Sequence, residues 1–298
     1  MFKSTRLSGG SDLIFDIINN FLMVLVLIIV IYPLIYILSA SFSSAQAVIS
    51  GRVWLLPVEP TILAYTGVFK NQAVLSGYFN SAWYMVFGTV VNVFVTMIAA
   101  YPLARRDLRG RKVIMMYFMF TMMFSGGLIP TYLLIKDLRM LDTRLAMIIP
   151  GALAVWNMTI TRTYIKSSIP EELYESAEID GAGDLLVFYK IIVPLCAPIV
   201  AVITLFYAVE HWNSYFNALI YLKRASLFPL QIILRNILIL NTTDFSMVTD
   251  ELEMAERYAL AELLKYSLII VASLPMFVIY PFVQKHFIKG IMIGSVKG

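Results

Sequence analysis

The sequence predicts an all-α integral membrane protein with six transmembrane helices. Of its 298 residues, 60% are hydrophobic and 14% are charged, whereas soluble domains average about 45–50% apolar and about 25% charged residues. The charged residues also leave six long stretches empty. Each stretch approaches or exceeds the roughly 17–20 residues with which a helix crosses about 30 Å of hydrocarbon. The predicted spans are 17–51, 71–104, 113–135, 145–161, 191–209 and 266–284.

For two apolar segments, 21–38 and 227–241, length and hydropathy alone do not show whether they are transmembrane spans. Residues 21–38 are apolar without interruption, which is longer than the roughly 7–15 residues of a signal-peptide core. We therefore expect the first span to remain as an anchor. Segment 227–241 carries Arg235 at its middle, and a central arginine costs about 2.5–3.5 kcal/mol on insertion scales. This segment is predicted to be amphipathic and to lie outside the bilayer core.

The distribution of Lys and Arg predicts the orientation. Loops on the cytoplasmic side of a membrane protein carry an excess of these residues. Five of the eight residues from Arg105 to Lys112 are basic, and they lie between the second and third spans. Both termini are therefore predicted to be cytoplasmic, in a multi-pass membrane protein.

The composition excludes several classes of function. The lone Cys196 cannot form an intrachain disulfide or a thiolate zinc cluster, and we expect no metal site or cofactor in this chain. The basic residues lie at span ends, so no nucleic acid partner is expected. No Gly-x-x-x-x-Gly-Lys-Ser/Thr loop is present to bind ATP. His211 and His286, both near span ends, form no catalytic group with paired acids, which argues against an enzyme.

The loop 166–190, between the fourth and fifth spans, is predicted to contain a short polar helix. Ser168 and Glu171 have the spacing of a capping box, with Pro170 in the first turn. Gly181 or Gly183 can adopt the left-handed conformation that closes a helix. We expect about ten helical residues, too polar to enter the membrane.

The same loop resembles the EAA loop of ATP-binding-cassette (ABC) importer permeases. The family pattern is Glu-Ala-Ala, three residues, Gly, nine residues and Ile-x-Leu-Pro. This chain meets the spacing at every position and departs from the pattern at Ser176 and Val193, both conservative in size. The matching residues are Glu175, Ser176, Ala177, Gly181, Ile191, Val193 and Pro194.

This resemblance implies a type I ABC importer permease fold and a coupling helix that fits into a cleft of an ATPase subunit. Small Ala177 and Gly181 would let the helix approach closely, and Leu173, Tyr174 and Ile179 would anchor it. It also implies a second permease subunit, two ATPase subunits that hold the ATP and Mg²⁺, and an extracytoplasmic substrate-binding protein, with membrane lipid around the bundle. The whole chain, 1–298, is then one permease domain.

Two further segments resemble carbohydrate importers of the maltose type. The segment from Trp212 to Leu219 is similar to their Trp-Asn-rich region, and the tail 280–298 is similar to permeases for complex polysaccharides and oligosaccharides. The resemblance implies oligosaccharide import by alternating access, and a contact of the tail 294–298 with the ATPase. The outer loop 211–259 contains an acidic stretch, which is either a solvated charge run or a docking surface.

Several aromatic and amide side chains fit the chemistry of sugar binding, in which flat rings pack on the sugar and amides bind its hydroxyl groups. Packing or interfacial roles remain open for each of them. An importer of the same family for peptides or phosphate also stays open, whereas an ion-coupled transporter would need ionisable groups at mid-membrane and inverted repeats. The candidates are Trp83, Asn92, Trp156, Asn157, Trp212, Asn213 and Tyr215.

Overall fold

The computed structural model describes residues 10–240 and 262–281, and the regular elements in these ranges are helices. These include a π-helical turn, Phe188–Ile192, and a 3₁₀ turn, Ala225–Leu227. The helices are α1 Gly10–Ser41, α2 Ala45–Ile49, α3 Leu63–Lys70, α4 Gln72–Ala104, α5 Arg111–Met123, α6 Leu128–Asp137, α7 Leu145–Ile148, α8 Val155–Ser168, α9 Glu172–Ile179, α10 Asp184–Val187, α11 Val193–Leu195, α12 Ala197–Trp212, α13 Phe216–Tyr221, α14 Leu230–Leu240 and α15 Glu262–Pro281.

The chain divides into two compact units. The first comprises Met1–Asn71 with Ile237–Val271, and the second comprises Gln72–Asn236 with Ala272–Gly298. The single permease domain expected from the sequence stays a prediction. The acidic stretch of the outer loop and the tail 294–298 lie outside the described residues.

In the first unit, α1 is apolar and exposed along most of its length, with every side chain from 13 to 35 open to the surroundings. Its end is fixed by hydroxyl groups, because Ser39 Oγ donates to Leu55 O at 2.6 Å and Ser43 Oγ donates to Ser39 O at 2.7 Å. Ser44 Oγ then accepts from the backbone of Ala47 and begins α2. An apolar helix exposed to this extent requires lipid or another protein around it.

In the second unit, α4 packs against α8 and α12. Small and polar side chains occupy this contact, as is common between membrane helices. Thr96 Oγ1 and Tyr207 Oη are 2.7 Å apart, and Tyr207 Oη accepts from the backbone of Ala154 at 3.1 Å. One tyrosine therefore joins α4, α12 and the start of α8.

Gly88 is the closest point between α4 and α12, because an added Cβ would overlap the imidazole of His211. We expect Gly88→Leu to lower the unfolding temperature of the purified protein in detergent, since overpacking costs about 1–3 kcal/mol. Gly126→Leu is the control, because no atom lies within 4 Å of its added Cβ. Equal unfolding temperatures for the two variants would contradict this packing.

Within residues 10–240 and 262–281, three helices are long and apolar enough to cross a membrane: α4, α15 and Leu13–Ser41 within α1. The number rises to five if each of two bent helix pairs is one span. The predicted number of six spans and the predicted orientation therefore stay predictions. Segment 227–241 contains the helix α14, in agreement with the predicted amphipathic segment; Leu230, Ile232 and Ile233 are buried.

The third, fourth and fifth predicted spans are not continuous helices in the structure. The third bends by 111° between α5 and α6, where Gly127 has φ 87°. The fourth consists of the one-turn α7, an irregular segment around Pro150 and Gly151, and then α8. The fifth bends by 80° at Cys196, because Pro198 cannot donate the backbone hydrogen bond of a continuing helix. The length of a stretch without charged residues does not show where its helix breaks.

Candidate coupling site

The helix predicted in the loop 166–190 is present as α9, with eight residues. The capping box is wrong, because Glu171 occupies the N-cap position in a helical conformation and no side chain caps the helix. Instead, Tyr174 N donates to Glu171 O at 2.9 Å and Leu173 N donates to Pro170 O at 3.4 Å. The fixed φ of Pro170 provides the first turn without a side-chain cap.

Gly181 closes α9. It has φ 74°, and its N–H donates to Glu178 O at 3.0 Å while Ala182 N donates to Ala177 O at 2.9 Å. This pair of bonds is a Schellman motif, which requires a left-handed residue at that position. Gly183 has φ −73°, so the two glycines named by the sequence have different roles.

The helix α9 has a free face and a seated face. The free face comprises Glu172, Glu175, Ser176 and Ile179, one helical stripe of exposed side chains. Ile179 is 86% exposed.

The seated face comprises Leu173, Tyr174 and Ala177, which pack on the core of the second unit. Ala177 is 5% exposed. This corrects the sequence-based interpretation, because Ala177 gives close approach to this chain's own bundle rather than to a partner. Leu173 and Tyr174 likewise anchor α9 to that bundle, and Ile179 alone of the three apolar side chains stays free.

Arg105, just after α4, holds α9 through several carboxylates. Its side chain is 12% exposed. Its Nη2 atom is 3.1 Å from Glu178 Oε1, and its Nη1 atom is 3.2 Å from Asp184 Oδ1. Asp107 accepts from both Nε and Nη2, at 2.9 and 2.8 Å. The planar fork of arginine suits this bridging geometry, and it connects the end of α4 to α9 and α10.

Aromatic rings surround the same guanidinium. Its carbon is 5.1 Å from the centroid of the Tyr174 ring, within the range of a cation–π contact. Its Nη1 donates to Tyr101 Oη at 3.4 Å, and the rings of Tyr101 and Phe188 are 5.3 Å apart. Burial raises the pKa of Tyr174 to about 12, so this phenol stays neutral beside the carboxylates at physiological pH.

The charges of this cluster are stable at neutral pH. The hydrogen bonds that Arg105 donates to Asp107 raise the pKa of Arg105 above its already high usual value. In turn, Arg105 lowers the pKa of Asp107 below 3.8. A lowered acid pKa contributes stability above the unfolded-state pKa and loses it only as the pH falls through the folded-state value. The Arg105–Asp107 pair is therefore expected to persist at neutral pH and to be lost only as the pH falls through the lowered pKa of Asp107.

The second half of the EAA pattern lies in the bent segment before α12. Ile191 is half-buried in the π-helical turn, and Val193 is half-buried in α11, both against the core that α9 contacts. Pro194 is exposed. Ile191 and Val193 thus pack against the same core as α9. Arg105 is not part of the EAA pattern. Its only signal in the sequence is the basic run 105–112, from which the orientation was predicted.

The predicted pathway residues fall into two groups. Asn92, Asn157 and Trp212 are buried. Asn92 Nδ2 donates to Gly151 O at 3.0 Å, and Trp212 Nε1 donates to Ala272 O at 3.0 Å. Trp212 also meets Tyr78 edge to face, 5.3 Å between ring centroids. These two side chains have clear packing roles.

The remaining candidates reach the surface. Trp156 is 59% exposed, and Asn213 is exposed, although its Nδ2 donates to Val209 O at 2.9 Å. Trp83 and Tyr215 are half-buried against the same apolar cluster. Contact of any of these residues with a cargo stays a prediction.

Comparison with known proteins places this arrangement in a family. Residues 92–293 match the family model described as binding-protein-dependent transport system inner membrane component. The chain is 41% identical to the polygalacturonan/rhamnogalacturonan transport system permease protein YtcP of Bacillus subtilis, over 96% of this chain and 99% of that protein. It is 28% identical to the melibiose/raffinose/stachyose import permease protein MelC of the same organism, over 88% and 90%.

A solved structure agrees with these sequence relatives. It is the crystal structure of a bacterial ABC transporter involved in the import of the acidic polysaccharide alginate, with TM-score 0.86 and 35% identity, covering 95% of this chain and 100% of that one. The type I permease fold implied by the EAA resemblance is confirmed. The chain therefore belongs to the family of inner membrane components of binding-protein-dependent transport systems, as a permease subunit of an ABC importer.

Proposed function

We propose that this chain moves an acidic oligosaccharide across a bacterial cytoplasmic membrane by alternating access, and that α9 receives the force of a separate ATPase. The observation that carries the proposal is the free face of α9, held by Arg105 at the end of α4. Displacement of α9 by a partner is transmitted through Arg105 to α4, which packs on α8 and α12. Closure of an ATPase dimer would in this way reshape the helix bundle.

The partners follow from the exposed surfaces. Two ATPase subunits bind ATP and Mg²⁺, and the free face offers one of them Ile179 as an apolar contact and Glu172 and Glu175 for basic groups. A second permease subunit and lipid cover the exposed apolar side chains of α1 and α5. An extracytoplasmic binding protein delivers the cargo. Both termini and α9 are then cytoplasmic.

The relatives support the choice of cargo. Polygalacturonan and rhamnogalacturonan contain uronic acid units, and the structural relative imports an acidic polysaccharide. Peptide or phosphate import, which the sequence alone left open, is not favoured by these relatives. The cargo is therefore proposed to be an oligosaccharide that carries carboxylate groups.

Site-specific cross-linking tests the coupling proposal. In a chain whose buried Cys196 is replaced by alanine, we expect Ile179→Cys to cross-link to an ATPase subunit in the purified complex, because Ile179 is the most exposed apolar side chain of α9. Ala177→Cys is the matched control, since it lies on the seated face of the same helix. Mass spectrometry of the product identifies the partner.

Two results would overturn the coupling role. The first is an assembled complex in which Ile179→Cys forms no cross-link to an ATPase. The second is labelling of Ile179→Cys in intact cells by a membrane-impermeant thiol reagent, because α9 would then face the exterior.

A further inference from the structure

Arg144, in the short segment before α7, lies against an aromatic pair on α4. Its guanidinium carbon is 4.4 Å from the centroid of the Trp83 ring, which is a cation–π distance. Trp83 stacks on Phe87, with 4.6 Å between ring centroids and 29° between planes. Arg144 and Trp83 are half-buried, whereas Phe87 is 51% exposed. Cation and aromatic surface thus form one partly open group, the Arg144 group.

Most hydrogen-bond donors of Arg144 are unused within the part of the chain that the structure describes. Its one side-chain bond runs from Nη2 to Asn80 Oδ1 and is long, at 3.3 Å. The Asn80 amide is oriented by its own donation to Ser226 O and Phe228 O, at 2.8 and 3.2 Å. A guanidinium carries five N–H donors, so an in-plane edge remains available to an acceptor.

The nearest acid in sequence is not a counterion for Arg144. Asp142 Oδ1 accepts from the backbone N–H groups of Lys223 and Arg224, both at 2.9 Å, and its Oδ2 atom accepts from Arg224 Nε at 2.8 Å. No carboxylate lies within ion-pair distance of Arg144 in residues 10–240 and 262–281. A partly buried charge without a partner is unfavourable, and an anionic ligand would compensate it.

A uronic acid unit supplies the missing chemistry. Its carboxylate can accept two parallel N–H bonds from a guanidinium, and the apolar face of its ring can pack on an exposed aromatic side chain. We propose that the Arg144 group is a carboxylate-binding site for uronic acid units of the cargo. This inference rests on the proposed function, and it identifies Arg144 as the residue that distinguishes acidic from neutral oligosaccharides within this subunit.

Uptake of two matched probes into proteoliposomes of the complete importer tests the inference. The probes are trigalacturonate and its fully methyl-esterified, neutral form. We expect Arg144→Gln to lower uptake of trigalacturonate about 10- to 100-fold, as for loss of a hydrogen bond to a charged group, and to leave uptake of the ester within about twofold. The preference of the binding protein cancels in the mutant-to-wild-type ratio for each probe. Arg139→Gln, an exposed arginine nearby, is the control and should change neither ratio.

Saturation-transfer NMR of trigalacturonate with the same complexes gives a second measurement. It replaces the comparison of the two probes if the wild-type importer does not take up the ester. Arg144→Gln should then reduce the transfer and Arg139→Gln should not. If the wild-type importer takes up trigalacturonate and Arg144→Gln takes it up at the same rate, this inference is overturned and the proposed function stays intact. Equal loss of both probes also overturns it, in favour of a structural role. A wild-type importer that takes up neither probe refutes the acidic cargo, and the inference with it.

Discussion

Replacement of Arg105 by alanine is expected to separate ATP hydrolysis from uptake. The variant removes the cation between Asp107, Glu178 and Asp184 and leaves three carboxylates near one another, so α9 loses its ion pair to the end of α4. Exposed ion pairs contribute about 0.2–1 kcal/mol each to stability, but the Arg105 side chain is largely buried and pairs with all three carboxylates. We expect the number of ATP molecules hydrolysed per cargo molecule to rise about tenfold in reconstituted complexes.

Two variants separate this role from a general loss of positive charge. Arg106→Ala removes a neighbouring arginine that is exposed and, among the residues that the structure describes, pairs only with Glu171. We expect its coupling ratio to stay close to wild type. Arg105→Lys should restore coupling in part, because an ammonium keeps the charge but lacks the planar fork. A normal coupling ratio in an assembled Arg105→Ala complex would refute the connection.

Gly181→Val is expected to impair uptake strongly while the chain still inserts into the membrane. A left-handed conformation costs a non-glycine residue about 1–2 kcal/mol, or roughly a factor of 5–30 in population, and a β-branched side chain is especially unsuited to it. An eight-residue helix has little intrinsic stability with which to offset this cost. Uptake rate and stimulated ATPase activity of the reconstituted complex are the measurements.

Gly183→Val is the matched control for this prediction. Neither glycine has an atom within 4 Å of an added Cβ, so the two variants differ within this chain mainly in backbone strain, φ 74° against −73°. We expect Gly183→Val to retain most of the uptake. Similar activities for the two variants would show that the Schellman turn is not what matters at Gly181.

The EAA pattern led to the coupling helix because it combines local signals, a proline that starts a turn and a glycine that ends one. From the sequence, either Gly181 or Gly183 could be the left-handed residue that ends α9. The hydrogen bonds to Ala177 O and Glu178 O identify Gly181 as that residue. The seated and free faces also needed the structure. Their distinction depends on which side of α9 meets α4 and α8, and that contact joins residues far apart in the chain.

The contact of Arg105 with α9 could not be predicted from the sequence. Within the basic run 105–112, nothing local distinguishes the arginine that holds α9 from its neighbours, because its partners Glu178 and Asp184 lie more than seventy positions away. The angles of the bends in the third and fifth spans, 111° and 80°, could not be predicted for a related reason. Hydropathy reports which residues avoid water, and a bent helix pair and a straight helix satisfy it equally well.

By itself, the sequence determined that this is a helical membrane protein with a polar coupling segment and no ATP-binding loop, because partition into lipid and local turn chemistry depend on residue type and spacing. The tertiary structure alone decided the angles at which the apolar stretches bend and which face of α9 is free. It also decided that, among the described residues, Arg105 has carboxylate partners and Arg144 has none. Those properties depend on distances between remote residues, which composition and spacing do not fix.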